Sequence, residues 1–172
     1  KVQGLTVPIV TEATDETAAK NNPRATREEL FTFILSDLAD AEACLKPYED
    51  GEVKATVYGT TATYPELAAV YGLYARAYLW LGGFEDVTYE NVPTGEAAYR
   101  LAAEYARKAI NTANAPIMSE NEWTNVTTGF NTVVPAWMWA TTLSSDTVLN
   151  NLFAFVAHMA PEATYGYAPL AC

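Results

Sequence analysis

A chain of 172 residues is enough for one well-buried core, and half of those residues are apolar, which excludes a disordered polypeptide. Ten Lys and Arg against 21 Asp and Glu leave a formal charge of −11, a surface that repels polyanions. Nucleic acid and acidic membrane surfaces are therefore excluded as partners. Two cysteines, Cys44 and Cys172, do not make a disulfide framework, and the redox compartment stays open. The chain begins at Lys1 without an apolar signal core, so any targeting segment is expected outside it. The longest stretch free of charge, Trp123 to Ser145, carries two Asn, six Thr, Gly129 and Pro135, which a bilayer core would not accept.

Residues 1–25 alternate Leu5, Val7 and Ile9, turn polar, and reach the breaker Asn22-Pro23. They read as an extended loop leading into the first helix. Thr26 followed by Glu29 is a capping-box pattern, and Leu30, Ile34, Leu38, Ala41 and Leu45 then recur at helical spacing up to Pro47. After a polar loop, Pro65 predicts the first turn of a second helix. Between Glu66 and Gly82 only Glu66 and Arg76 are charged, while Leu67, Val70, Tyr71, Tyr74, Tyr78 and Leu81 recur at threes and fours. That helix is apolar nearly all round and is expected to be the central one, leaving apolar surface to be covered; Gly82-Gly83 predicts a left-handed C-cap.

A third helix is predicted from about Thr94 to Asn114. One face holds Leu101, Ala102, Tyr105 and Ala109, and the other holds Arg100, Glu104, Arg107 and Lys108, with Glu104 four residues ahead of Lys108. Alanines on the second and third helices, among them Ala68, Ala69, Ala98, Ala102 and Ala109, permit close helix approach, as in the hairpins of stacked repeats.

Residues 115–172 change character: no Lys or Arg, four acidic groups (Glu120, Glu122, Asp146, Glu162), and many aromatics and amides. This region reads as aromatic-rich loop with one short helix, capped by Ser145 or Asp146 and ended by Pro161. A neutral sugar offers an apolar C–H face and a rim of hydroxyls, so its site needs exposed rings, amides and carboxylates with little net charge. Trp123 and Asn125 in a polar loop, and Tyr165 and Tyr167 around Gly166, are the candidate ligand-binding residues. Trp137 and Trp139 on either side of Met138 read instead as a short strand alternating into the core.

Motifs for chemistry are missing. There is no Gly-rich phosphate loop, dinucleotide fingerprint, G-x-S-x-G elbow or H-E-x-x-H pair, and the sole histidine, His158, reads as structural. The acids Asp37, Asp40 and Glu42, and Glu49, Asp50 and Glu52, lack calcium-loop spacing and read as solvated charge. Asp146 and Glu162 would be the pair for a helical glycoside hydrolase, but cap and loop roles account for both. The sequence therefore points to a protein without catalytic activity, metal or cofactor.

Several phrases, taken in order, resemble the SusD/RagB family of surface glycan-binding lipoproteins. They are Val7-Pro8-Ile9-Val10-Thr11-Glu12; Pro23-Arg24-Ala25-Thr26-Arg27-Glu28-Glu29 with Leu35-Ser36-Asp37-Leu38; Ala75-Arg76-Ala77-Tyr78-Leu79-Trp80-Leu81-Gly82; and Glu104-Tyr105-Ala106-Arg107-Lys108-Ala109-Ile110. Trp137-Met138-Trp139-Ala140, Phe155, His158-Met159 and Gly166-Tyr167 follow. The resemblance implies an all-α fold: a tetratricopeptide-like, SusD-like helical-repeat scaffold over 26–114 with irregular aromatic-rich loops over 115–172, forming the middle of a longer protein. It also implies capture of oligosaccharide or polysaccharide for delivery to a SusC-like TonB-dependent transporter. The expected location is the outer surface of a Gram-negative outer membrane, with membrane attachment only through a lipid anchor absent from this chain. Two rivals remain beside the glycan reading: a helical-repeat protein-interaction scaffold or peptide-uptake relative, and the glycoside hydrolase. The departure from a plain repeat is the long loop from Glu85 to Pro93.

Overall fold

The computed structural model describes residues 4–49, 64–125 and 134–140. The chain divides into two units, Lys1–Trp139 and Ala140–Cys172, and every helix and contact described lies in the first. Among the described residues five helices occur in order: α1 (Glu16–Lys20), α2 (Arg27–Glu49), α3 (Leu67–Gly82), α4 (Gly95–Ala113) and α5 (Glu120–Trp123). Among the described residues the one strand-like pairing is an antiparallel bridge between Leu5 and Thr26. The fold is all-α. No described helix is long and apolar enough to cross a membrane.

The leading segment is less extended than its composition predicts. The Asp15 carboxylate accepts from the Ala18 amide at 2.7 Å, and Lys20 pairs with Glu16 at 2.8 Å, so one turn of helix interrupts the loop. On either side the chain folds back on itself: the Thr6 amide donates to the Ala25 carbonyl at 2.7 Å and the Ala25 amide to the Val7 carbonyl at 3.1 Å. The Arg24 guanidinium holds the Leu5 and Thr6 carbonyls from the side.

Thr26 and Glu29 form the capping box that starts α2: the Thr26 amide donates to Glu29 Oε2 at 2.7 Å, and the Glu29 amide donates to Thr26 Oγ1 at 3.2 Å. The bond from the Thr26 amide, and after it the bond from the Thr26 hydroxyl to the same oxygen at 2.9 Å, hold the Glu29 carboxyl below its ordinary range. The helix runs two residues past Pro47, whose missing amide in the last turn removes a single backbone bond.

The start of α3 falls two residues after Pro65; Glu66 is the N-cap, in extended conformation and without a side-chain capping bond. Its C-cap is also not the expected one. Gly83 has φ −69° and lies in the right-handed region, and the turn tightens instead through bonds from the Gly83 amide to Trp80 and from the Phe84 amide to Leu81, both 3.1 Å. Gly82 serves a different purpose, because a Cβ there would stand 2.4 Å from Cδ1 of the Tyr99 ring. The absence of a side chain lets α4 lie against the end of α3.

By contrast, α4 begins and ends where the sequence places it: Thr94 is the N-cap, and Asn114 is a left-handed C-cap at φ 44° whose amide reaches the Ile110 carbonyl. Arg100 pairs with Glu96 at 2.7 Å and Lys108 with Glu104 at 3.1 Å along its solvated side.

Packing directions follow from the contacts. The C-terminal end of α3 meets the N-terminal half of α4 at Gly82 and Tyr99, and the N-terminal half of α3 meets the later part of α4 at Tyr71, Tyr105 and Lys108, so the two helices are antiparallel. The same holds for α2 and α3, where Phe31 packs with Leu81 and Phe84 at one end and Glu42 reaches Tyr71 at the other. One core cluster centres on Leu38, Leu67, Val70, Tyr71, Tyr74 and Ala109, and a second on Leu81, Val92 and Ala98, with Leu35 and Tyr78 packed against both. α3 is thus the central helix, as its composition predicts. Its outer face is not covered by the described residues: Leu79 is 58% and Trp80 70% exposed.

Candidate functional site

Three features could support chemistry or binding, and the first lies in the helix interface. The rings of Tyr74 and Tyr105 stack at 4.4 Å between centroids, with Tyr78 at 5.6 Å and Tyr71 at 6.0 Å from Tyr105. Lys108 Nζ lies 4.3 Å from the centre of the Tyr105 ring while bonded to Glu104, a bond that raises its pKa. The Tyr71 hydroxyl donates to Glu42 at 3.2 Å. Loss of water around Tyr74 pushes its pKa up to about 12, and burial also raises Tyr71 and Tyr78. A phenol is protonated at neutral pH without any shift, and burial extends the neutral form of these three to higher pH. The cluster is a packed interface of neutral phenols edged by Glu42, Glu104 and Lys108, with Tyr71 and Tyr74 buried in it.

The second feature is the outer side of the first turns of α2. The Glu28 carboxylate accepts three bonds from the α3–α4 loop at a single oxygen, Oε1: from the Glu90 amide at 2.8 Å, the Asn91 amide at 2.7 Å and the Asn91 side-chain amide at 3.0 Å. This latch carries Asn91 across to α2 and closes one side of an open depression of about 550 Å³, which Thr26, Glu29, Thr32, Phe33 and Ser36 also line.

The third feature carries the residues singled out in the sequence. Trp123 stands at the end of α5, not in an irregular loop. Ser119 and Glu122 form a second capping box, with the Ser119 amide donating to Glu122 Oε2 at 2.8 Å and the Glu122 amide to Ser119 Oγ at 3.3 Å. The box lowers the Glu122 carboxyl pKa, the backbone bond from Ser119 contributing most. The Trp123 amide closes the turn on the Ser119 carbonyl at 2.9 Å, and Thr124 bonds back to Glu120 through both its amide and its hydroxyl. The outcome is a hydrogen-bonded turn carrying Trp123, which is 55% exposed, with exposed Asn125 two residues further on.

Tyr165 and Tyr167 lie outside the described residues, as do His158, Asp146, Glu162 and the helix predicted after Ser145. Trp137 and Trp139 do not form a strand. Residues 134–140 are turn and bend, Met138 packs on the core beside Gly72, and Trp139 faces outward. The expected alternation does not hold: Trp137 and Met138 are both half-buried, Trp139 is exposed, and Met138, flexible and unbranched, reaches the space beside the small Gly72 on α3.

Glu28, Phe33 and Asn91 went unremarked as a site in the sequence, because Glu28 and Asn91 are brought together only by the hairpin. The Ser119–Glu122 box, however, was legible by the same spacing rule that marks Thr26 and Glu29. Among the described residues no group of three or more His, Cys, Asp or Glu side chains could hold a metal ion. Compared with known proteins, the chain matches no family model, no curated protein and no solved structure.

Proposed function

We propose that this chain is a SusD/RagB-like glycan-binding module with a tetratricopeptide-like scaffold, which captures oligosaccharide at the outer surface of a Gram-negative outer membrane and hands it to a TonB-dependent transporter. The observation that carries the reading is the Trp123 indole, 55% exposed on a doubly capped turn beside exposed Asn125. A flat apolar ring on a capped turn next to an amide suits the C–H face and hydroxyl rim of a sugar. The antiparallel α3–α4 hairpin, with α2 packed against it, supports the repeat-like scaffold. In this reading binding is not followed by bond cleavage, and attachment to the membrane is through a lipid anchor outside the chain.

A second reading, a protein-interaction scaffold or peptide-uptake relative, is favoured by Leu79 and Trp80, whose outward apolar side chains suit a protein surface. It requires the aromatics of 115–172 to be core, which the exposure of Trp123 opposes.

A panel of soluble neutral glycans, read by tryptophan fluorescence and calorimetry on the chain and on Trp123→Ala, tests the proposal. Saturable binding that Trp123→Ala abolishes, without release of reducing sugar, is the expected result. Silence toward every neutral glycan together with peptide or transporter binding would replace it with the scaffold reading, and release of reducing sugar would replace it with the hydrolase.

A further inference from the structure

The depression beside α2 differs from ordinary solvated helix surface in three respects. Glu29, Thr32, Phe33 and Ser36 share one helix stripe, turned away from the side that carries Phe31, Ile34, Leu35 and Leu38 into the core. Phe33 is only partly exposed, yet it belongs to neither core cluster; it lines the depression instead. The walls are also fixed before any ligand arrives, one by the Thr26–Glu29 box and the other by the three bonds that Glu28 accepts from Glu90 and Asn91.

The lining chemistry narrows the ligand. Among the described residues no Lys, Arg or His lines the depression, so none of them would offset the charge of a phosphate or carboxylate ligand. Acceptors dominate. One N–H of the Asn91 side-chain amide is committed to Glu28, which leaves its second N–H and its oxygen to bind, and the hydroxyls of Thr32 and Ser36 have no protein partner among the described residues. The two carboxylates already accept backbone N–H bonds, which satisfy part of their charge and reduce the demand for a cationic ligand. An aromatic ring among hydroxyls and acceptor oxygens, in a volume within the ~300–1,000 Å³ of small-molecule sites, matches a neutral molecule rich in hydroxyl donors.

We infer that this depression is a second saccharide subsite, in which one neutral sugar residue lies against Phe33 and bonds to Thr32, Ser36 and Asn91. The inference rests on the glycan reading for its ligand class, but on none of the residues that carry that reading. The two are separable in one experiment: amide and indole NMR of the whole 172-residue chain, titrated with neutral methyl hexosides, and with glucuronate and a simple alkylamine as charged controls. Saturable shifts at Thr32, Phe33, Ser36 and Asn91 are expected, with glucuronate silent. Removing both hydroxyls in Thr32→Ala/Ser36→Ala, changes that favour the helix, should weaken those shifts roughly tenfold. Shifts confined to the Trp123 indole would overturn the subsite and leave the glycan reading standing. Shifts confined to the depression would uphold the subsite and remove Trp123 from the proposed function. No response to any hexoside, a preference for the amine, or unchanged affinity in the double variant would overturn the subsite.

Discussion

The interface of α3 with α4 and the short turn of α5 use aromatic side chains in opposite ways. In the hairpin, Tyr71, Tyr74, Tyr78 and Tyr105 sit on helices of 16 and 19 residues whose apolar stripes face each other, so each ring finds another ring or an aliphatic neighbour. On α5, four residues long, Trp123 has no run of periodic helix neighbours, and the residue is left 55% exposed. The difference teaches that burial of an aromatic depends on the periodic partners around it, not on its own hydrophobicity. The outer face of α3 makes the same point within one helix, since Trp80 is two residues from Tyr78 and faces the other way.

The sharpest way to break this contrast is to delete a ring on the inner side. Tyr74→Ala should cost about 3–5 kcal/mol in chemical denaturation, because it opens a cavity at the centre of the stack. Gly82→Ala should cost about 1–3 kcal/mol by pushing against the Tyr99 ring, and most of that should return in the Gly82→Ala/Tyr99→Ala double variant. Thr26→Ala removes the cap of α2 and should cost about 1 kcal/mol, and Glu28→Ala a similar amount. Hydrogen exchange should separate the last two, since only Glu28→Ala frees the Glu90 and Asn91 amides directly. The smallest effect on stability is expected on α5: Trp123→Ala should change it by less than about 0.5 kcal/mol while removing the proposed saccharide response.

Titration sharpens the same comparison. The folded-state pKa of Tyr74 lies above the unfolded one, so the stability that its neutral phenol contributes is complete below about pH 10 and is lost as pH rises toward about 12. Unfolding midpoints measured across that window should fall together with the appearance of tyrosinate absorbance. At the other extreme, Glu29 and Glu122 have lowered pKa values, so their capping bonds hold above the ordinary carboxyl value of 4.5 and are lost as pH falls through the lowered ones.

Much of this was legible locally. The Thr26–Glu29 box, the span of α4 between Thr94 and Asn114, the Glu104–Lys108 pair and the central place of α3 all follow from bonds and periodicities that reach no further than four residues, or from the apolar content of one helix. Two further features rest on the same three-residue spacing: the Asp15 cap of α1 and the Ser119–Glu122 box beneath Trp123. The strand expected around Met138 failed for a different reason, since its alternation of large side chains carried no information about Gly72 on the opposing helix.

The helical class, the start of α2, both ends of α4 and the polarity of the helix faces followed from the sequence alone, because backbone hydrogen bonds and side-chain neighbours within a helix are set by spacing along the chain. Only the tertiary structure decided that Gly82 makes room for Tyr99, that Glu28 holds Asn91 beside Phe33, and which aromatic rings are enclosed and which face water. Those outcomes join residues 17 and 63 positions apart, and the energy that selects them exists only once α2, α3 and α4 have packed.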